Sequence, residues 1–337
     1  MEKLNGKSII AQVRERLQSV NTRHLVLLHT GVAVGAALLI VLLQYVLTEG
    51  IGNTGGLSGM ATRSVLETIQ MVLQGANNLL IPFWNLGFLY VALLWAREKQ
   101  ADQKDLLTGF HRIGSYIGLM VNRMILAVAV VFIALNVCST AYLFTDAGQE
   151  LQELMISQGS VDDYYNYMNL LSQEELLAFW DAALPMLGLC FVLCACLLIP
   201  LLYRFRMAEF VLLDHKGIRG IGAMMLSAAL LRRRCWQLFK LDLRFWWYYG
   251  LKVLCTVLLY ADMLQELAGV TLPVGSGMAY ILSCVIYLAG LFAVEVSFRP
   301  QVETAYACVY EQLKECSPVE QKIVPVNPKD LPWDTEE

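Results

Sequence analysis

The sequence predicts an all-α protein: a polytopic membrane helix bundle with six transmembrane helices and amphipathic interfacial helices on its cytoplasmic side. Of the 337 residues, 57% are hydrophobic and only 16% charged, against roughly 45–50% and about 25% in soluble domains. The apolar residues gather into stretches of the ~20 needed to cross a bilayer. The basic residues are sorted between alternate loops.

The first stretch, about 24–47, has no charge after Arg23 and no proline. It is too long for a signal peptide, and no small-x-small cleavage site follows before Thr48-Glu49. The other spans fall at about 68–96, 124–144, 182–203, 243–264 and 278–298, with Lys252 inside the fifth and Glu295 near the end of the sixth. Lys and Arg stay on the cytoplasmic side of a membrane. Of the 25 Lys and Arg residues, 23 lie in residues 1–23, 97–123, 204–244 or 299–337, and Arg63 is the sole basic residue in the other loops. Both termini are therefore expected in the cytoplasm.

Residues 1–23 read as an amphipathic N-terminal helix, with Ile9, Ile10, Val13, Leu17 and Val20 opposite Arg14 and Arg16. Two further segments read as helices lying on the membrane: one through Leu106, Phe110, Ile113, Ile117 and Met120, the other from Ile218 to Trp236. Trp246, Trp247, Tyr248 and Tyr249 form an aromatic belt at the start of the fifth span. The membrane domain covers 24–316, with an acidic outer-loop insertion at 145–181. That loop is expected to form short helices capping the outer face, one starting at the capping box Ser172-Gln-Glu-Glu175. Residues 317–337 form a cytoplasmic tail with Pro318, Pro325, Pro328 and Pro332.

Several function classes are excluded or disfavoured. The net charge is −4 and the pI about 5.7, so overall basicity does not direct the chain to nucleic acid. Gly50-Ile-Gly-Asn-Thr-Gly55 matches a dinucleotide-binding pattern but follows a membrane helix rather than a strand. Gly56-Leu-Ser58-Gly59 resembles an intramembrane protease nucleophile, yet the four histidines lie towards the other side. Cys190, Cys194 and Cys196 read as small apolar packing residues. No catalytic constellation, cofactor motif or metal-ligand spacing is present, so the expectation is a non-enzyme without cofactor.

Three features remain. Gln70, Gln74, Asn77, Asn78 and Asn85 fall near one stripe of the second span, beside Pro82. Amides in hydrocarbon are costly and tend to face a bundle interior or a wet cavity. The stripe is either a substrate or ion path or interhelical hydrogen-bond glue reaching Asn136 of the third span. Gly31-Val-Ala-Val-Gly35 reads as a close helix-packing face. Arg204, Arg206, Arg232, Arg233, Arg234 and Lys240 form a basic cytoplasmic patch, each worth about 1 kcal/mol near anionic headgroups. Lys252, about 12 Å deeper than Arg244, is a candidate ion-pair partner for Glu295, about 6 Å in from Arg299, because fifth and sixth spans joined by a short loop pack as a hairpin. The alternative is snorkelling by both, aided by Glu295 approaching Arg299 at i,i+4.

The stretch Tyr203-Arg-Phe-Arg-Met-Ala-Glu-Phe-Val-Leu-Leu-Asp214, then Ser227, then Leu238-Phe-Lys-Leu-Asp-Leu243, resembles the bacterial integral-membrane family called domain of unknown function 975. Leu86-Gly87 with Leu106 to Phe110, and Arg299-Pro300 with a helix to Leu313, fit the same pattern. The resemblance covers most of residues 5–315 and implies a bacterial cell-membrane protein of this fold, without naming an activity. The expected function is a scaffold or partner in envelope or lipid-related processes, contacting anionic headgroups. The alternative is a transporter or permease subunit.

Overall fold

The computed structural model describes residues 6–20, 22–52, 57–146, 148–149, 173–215, 217–232, 234–259 and 276–315. Most of the expected outer loop 145–181 with its capping box at Ser172, the tail from 316, Arg233 and residues 260–275 after the described part of the expected fifth span lie outside the described residues. Among the described residues every regular element is helical. In chain order they are α1 (Gly6–Ser19), α2 (Arg23–Gly52), α3 (Leu57–Ala96), a 3-10 turn (Gln103–Leu107), α4 (Thr108–His111) and α5 (Ile113–Tyr142). There follow α6 (Gln173–Arg204), α7 (Ala208–Asp214), α8 (Gly220–Leu230), α9 (Cys235–Arg244), α10 (Trp246–Leu259) and α11 (Ser276–Glu315).

Five helical stretches are long and apolar enough to cross a membrane: Arg23–Leu43, Glu67–Ala96, Ile113–Tyr142, Leu184–Asp214 and Leu282–Glu315. The expected fifth span is described only over the 14 residues of α10. α3 and α11 each have 40 residues. At 1.5 Å per residue each measures about 60 Å, twice the ~30 Å of a bilayer core. Each must therefore extend past the apolar layer, and each does so into a base of packed protein. There Leu86 and Leu93 of α3 share a core with Tyr306, Tyr310 and Leu313 of α11 and with Met207, Val211 and Leu212 around α7, while Phe88, Val91 and Trp95 of α3 form a second core with Leu25 and Val26 of α2 and with Leu106. Away from the base the helices present exposed apolar side chains, such as Leu39, Val72, Val128, Phe191 and Leu282.

The base differs from the expected interfacial helices in how it uses them. α1 does not rest on its apolar face alone: Ile9 and Val13 are buried in the protein core, and Gln312 of α11 donates to Gln12 at 3.2 Å. The segment through Leu106 and Phe110 is no separate surface helix. A short 3-10 turn and α4 pack Leu106 and Gly109 into the base, and α5 then runs unbroken from Ile113 to Tyr142. The packing is close enough to require glycine: a Cβ on Gly87 would strike the carbonyl of Leu106, and one on Gly109 the carbonyl of Phe83. α8 buries Ala223, Met224, Leu226 and Leu230 while leaving Ile221 and Met225 exposed. The aromatic belt also divides, with Trp246 exposed but Tyr248 buried.

The break between α6 and α7 has a local cause. A helix end leaves carbonyls and N–H groups without partners, and here Ser227 supplies both needs. Its buried hydroxyl donates to the Arg204 carbonyl at 2.9 Å and accepts the Met207 N–H at 3.2 Å.

Candidate functional site

A layer of charged and hydroxyl groups lies where the long helices enter the base, and Glu295 of α11 is its centre. The Glu295 carboxylate is 7% exposed as a residue. Lys252 of α10 places its Nζ 2.6 Å from Glu295 Oε1, and Arg299 Nη1 lies 3.5 Å from Oε2. The Tyr248 hydroxyl, one turn before Lys252, donates to the same carboxylate at 3.3 Å. Lys252 also donates to that hydroxyl at 3.4 Å and sits over the Tyr248 ring.

The layer continues through Arg299. Its Nη2 donates to Asn85 Oδ1 of α3 at 2.9 Å, its guanidinium stacks over Phe88 at 5.0 Å, and its Nε is 4.0 Å from Glu303. Lys252 and Arg299 thus balance Glu295 and Glu303, which is the condition for holding charges in a poorly hydrated place. Beside Asn85, His29 of α2 is fully buried, stacked on Trp84 at 5.3 Å with the rings nearly parallel. The Trp84 Nε1 donates to the His29 carbonyl at 3.0 Å. Both His29 ring nitrogens lack a hydrogen-bond partner among the described residues.

Further pairs fasten the base around this layer. Arg123 reaches Glu209 at 2.6 Å and the Phe205 carbonyl at 2.7 Å. Asp214 accepts from Arg97 at 2.6 Å, Lys314 at 2.5 Å and Tyr310 at 3.1 Å, and Arg97 also reaches Glu311 at 2.6 Å. Burial opposes the Arg97 charge, but Asp214 and Glu311 outweigh it and hold the guanidinium above its ordinary range. Tyr203 donates to Asp242. Burial pushes the Asp242 carboxyl above the usual carboxylate range, and the Tyr203 hydroxyl and Arg206 offset only part of that rise.

The amide stripe of the second span is not one assembly. Asn85 belongs to the charged layer through Arg299, Asn77 is half-buried, and Gln74 and Asn78 are exposed on α3. Asn136 does not bridge to α3 in this structure; its amide donates to the Phe132 carbonyl of its own helix at 2.7 Å. The Gly31 and Gly35 face is likewise open, with nothing within 4 Å of a Cβ placed at either.

The basic patch is also divided. Arg204, Arg232 and Lys240 are exposed and Arg234 half-buried, with Lys240 over the Trp236 ring at 5.8 Å. Arg206, also exposed, lies over the Tyr306 ring at 4.7 Å and donates to the Tyr249 hydroxyl at 3.4 Å. Cys138, Cys190 and Cys194 gather where α5 meets α6, as an apolar contact with Ala134 and Leu193.

Sequence reasoning brought forward Lys252, Glu295 and the approach of Arg299 to Glu295, but not the Tyr248 hydroxyl as a partner or the joining of Asn85 to them. The available signal was spacing: Tyr248 precedes Lys252 by one turn, and Glu295, Arg299 and Glu303 recur every fourth residue on one face of α11. Set against protein families, curated proteins and solved structures, the chain matches none. The geometry defines the class: a helical protein with, among the described residues, five helices long and apolar enough to cross a membrane, standing on a packed base.

Proposed function

We propose that this chain is a six-span bacterial membrane protein with both termini and the base in the cytoplasm, acting as a non-enzymatic scaffold in envelope or lipid-related processes. The resemblance to the domain of unknown function 975 family supports this reading. The motif positions that carry it occupy structural posts: Met207, Ala208 and Ser227 are fully buried at the α6–α7 break, and Leu238 and Leu241 are core residues. Of the six spans, the fifth is the one described only in part, through α10.

One observation carries the scaffold reading. The large, fully buried side chains gather in the base, whereas the helices beyond it leave long apolar faces open. A chain folded in this way presents a rigid cytoplasmic body and asks lipids or protein partners to cover its spans. Arg204, Arg232, Arg234 and Lys240, with exposed Trp236 and Trp246, are suited to anionic headgroups at the inner leaflet. Crosslinking in native membranes, followed by identification of co-purified proteins and lipids by mass spectrometry, tests this. A reproducible protein partner or enriched anionic lipid is expected; recovery of neither would overturn the reading.

The rival reading is a transporter or permease subunit, favoured by the exposed amides of Gln74 and Asn78 on a spanning helix. Uptake in vesicles abolished by Gln74→Leu or Asn78→Leu, with the protein still folded, would establish it.

A further inference from the structure

The Arg299–Asn85 bond gives α3 a depth scale. Arg299 sits at the cytoplasmic end of the sixth span in the reading above, and its bond to Asn85 at 2.9 Å puts Asn85 at the same level. Measured from there at 1.5 Å per residue, Asn78 lies about 10 Å and Gln74 about 16 Å into the apolar layer. Gln74 is then near the middle of a ~30 Å core.

At that depth a free carboxamide is costly. The Asn85 and Asn136 amides are bonded within the chain, but Gln74 and Asn78 stand on an exposed face of α3. Met71, at 74% exposure, lies on the same face, and nothing lies within 4 Å of a Cβ placed on Gly75. Successive turns of about 100° per residue bring Met71, Gln74, Gly75 and Asn78 within one sector. Polar amides beside a glycine are what lets one membrane helix approach another and bond to it.

We propose that a second copy of this chain packs against the outer half of α3, with Gln74 and Asn78 of each copy bonding to those of the other. The occupant follows from the chemistry. A carboxamide is both donor and acceptor, so two copies related by a two-fold axis satisfy each other without importing a charge. Two-fold pairing of identical patches is the commonest form of protein assembly. An independent observation lies at the same depth. His29 stacks on Trp84, and Gly35 on α2 and Asn78 on α3 are each about 9 Å outward from that pair. The Gly31–Gly35 face there is also open, so adjacent helices both present close-packing surfaces.

The test uses full-length chain in native membranes, with two differently tagged copies expressed together. A photo-crosslinking amino acid is placed at Met71, or as control at Leu80, which is 54% exposed and about half a turn away around the helix. Illumination at Met71 is expected to join the two tags; illumination at Leu80 is not. The Gln74→Leu, Asn78→Leu double variant is expected to weaken self-association about ten-fold while its melting temperature in detergent stays unchanged. No crosslink at Met71, equal crosslinking at both positions, an adduct only with another protein or lipid, or a crosslink unaffected by the double substitution would overturn the proposal. The inference rests on the depth assigned above, which topology reporters read separately, so failure of the pairing is distinguishable from failure of that assignment.

Discussion

Arg299 of α11 donates to Asn85 of α3 at 2.9 Å, and this bond ties the two 40-residue helices together where each passes into the base. Arg299 carries Glu295 one turn before it, and Glu295 carries Lys252 of α10. Three helices therefore meet through one buried carboxylate and two cations. Removing one member leaves a charge without its counterpart.

The first prediction concerns that carboxylate. Breaking a buried ion pair from one side costs about 3–5 kcal/mol, reduced here because the Lys252 side chain is 39% exposed. Lys252→Glu and Glu295→Lys should each lower the melting temperature in detergent. The double exchange should recover part of the loss, limited by Arg299 beside position 295. A double variant that equals the sum of the singles would show no direct interaction.

Ser227→Ala should destabilise the base by about 1–3 kcal/mol, because it strips the Arg204 carbonyl and the Met207 N–H of their shared partner in a buried place. Thermal melts of purified protein measure it. An unchanged melt would mean that α6 and α7 need no such bridge.

Two glycines should respond in opposite ways to alanine. At Gly87 the new methyl meets the backbone carbonyl of Leu106, which cannot swing aside like a side chain; overpacking of this kind costs about 1–3 kcal/mol. At Gly114 nothing lies within 4 Å, and alanine should be neutral or stabilise α5 by up to about 1 kcal/mol. Proteolysis of the 97–112 segment separates the two outcomes, with faster cleavage in Gly87→Ala alone.

Asp242 supplies a pH dependence. Its carboxyl is raised by burial from the ordinary value of 3.8, so between that value and its folded one the unfolded chain ionises first. The contribution of this group is full below the ordinary value and is lost as pH rises through the folded one. Asp242→Asn stays neutral and should flatten that part of the stability–pH curve. Tyr203→Phe removes the donor to Asp242 and should steepen the loss towards neutral pH. Melts of the three proteins across mildly acidic to neutral pH check the order.

How far the sequence disclosed this arrangement depends on the kind of signal. Helices announce themselves by apolar length, and α2, α3, α5, α6 and α11 each contain an expected stretch. Hydropathy cannot say what surrounds an apolar helix, however. Leu86, Phe88, Val91 and Leu93 count towards the second span, yet protein encloses them in the base. The same limit applies to α1, whose Ile9 and Val13 satisfy an interfacial pattern but meet α3 and α11. Lys252 and Glu295 could be paired by depth arithmetic along two helices. The Asn85–Arg299 bond joins residues far apart in the chain with no spacing rule between them, and only the packing of α3 on α11 reveals it.

The central claim is that the base lies in the cytoplasm beneath six spans, and reporter fusions test it most directly. A reporter active only in the cytoplasm is fused after Gly217, in the base between α7 and α8, or after Gly159, in the outer loop. Activity at Gly217 and none at Gly159 is the predicted result. Activity at Gly159, or its absence at Gly217 in a protein that still inserts, would contradict the account.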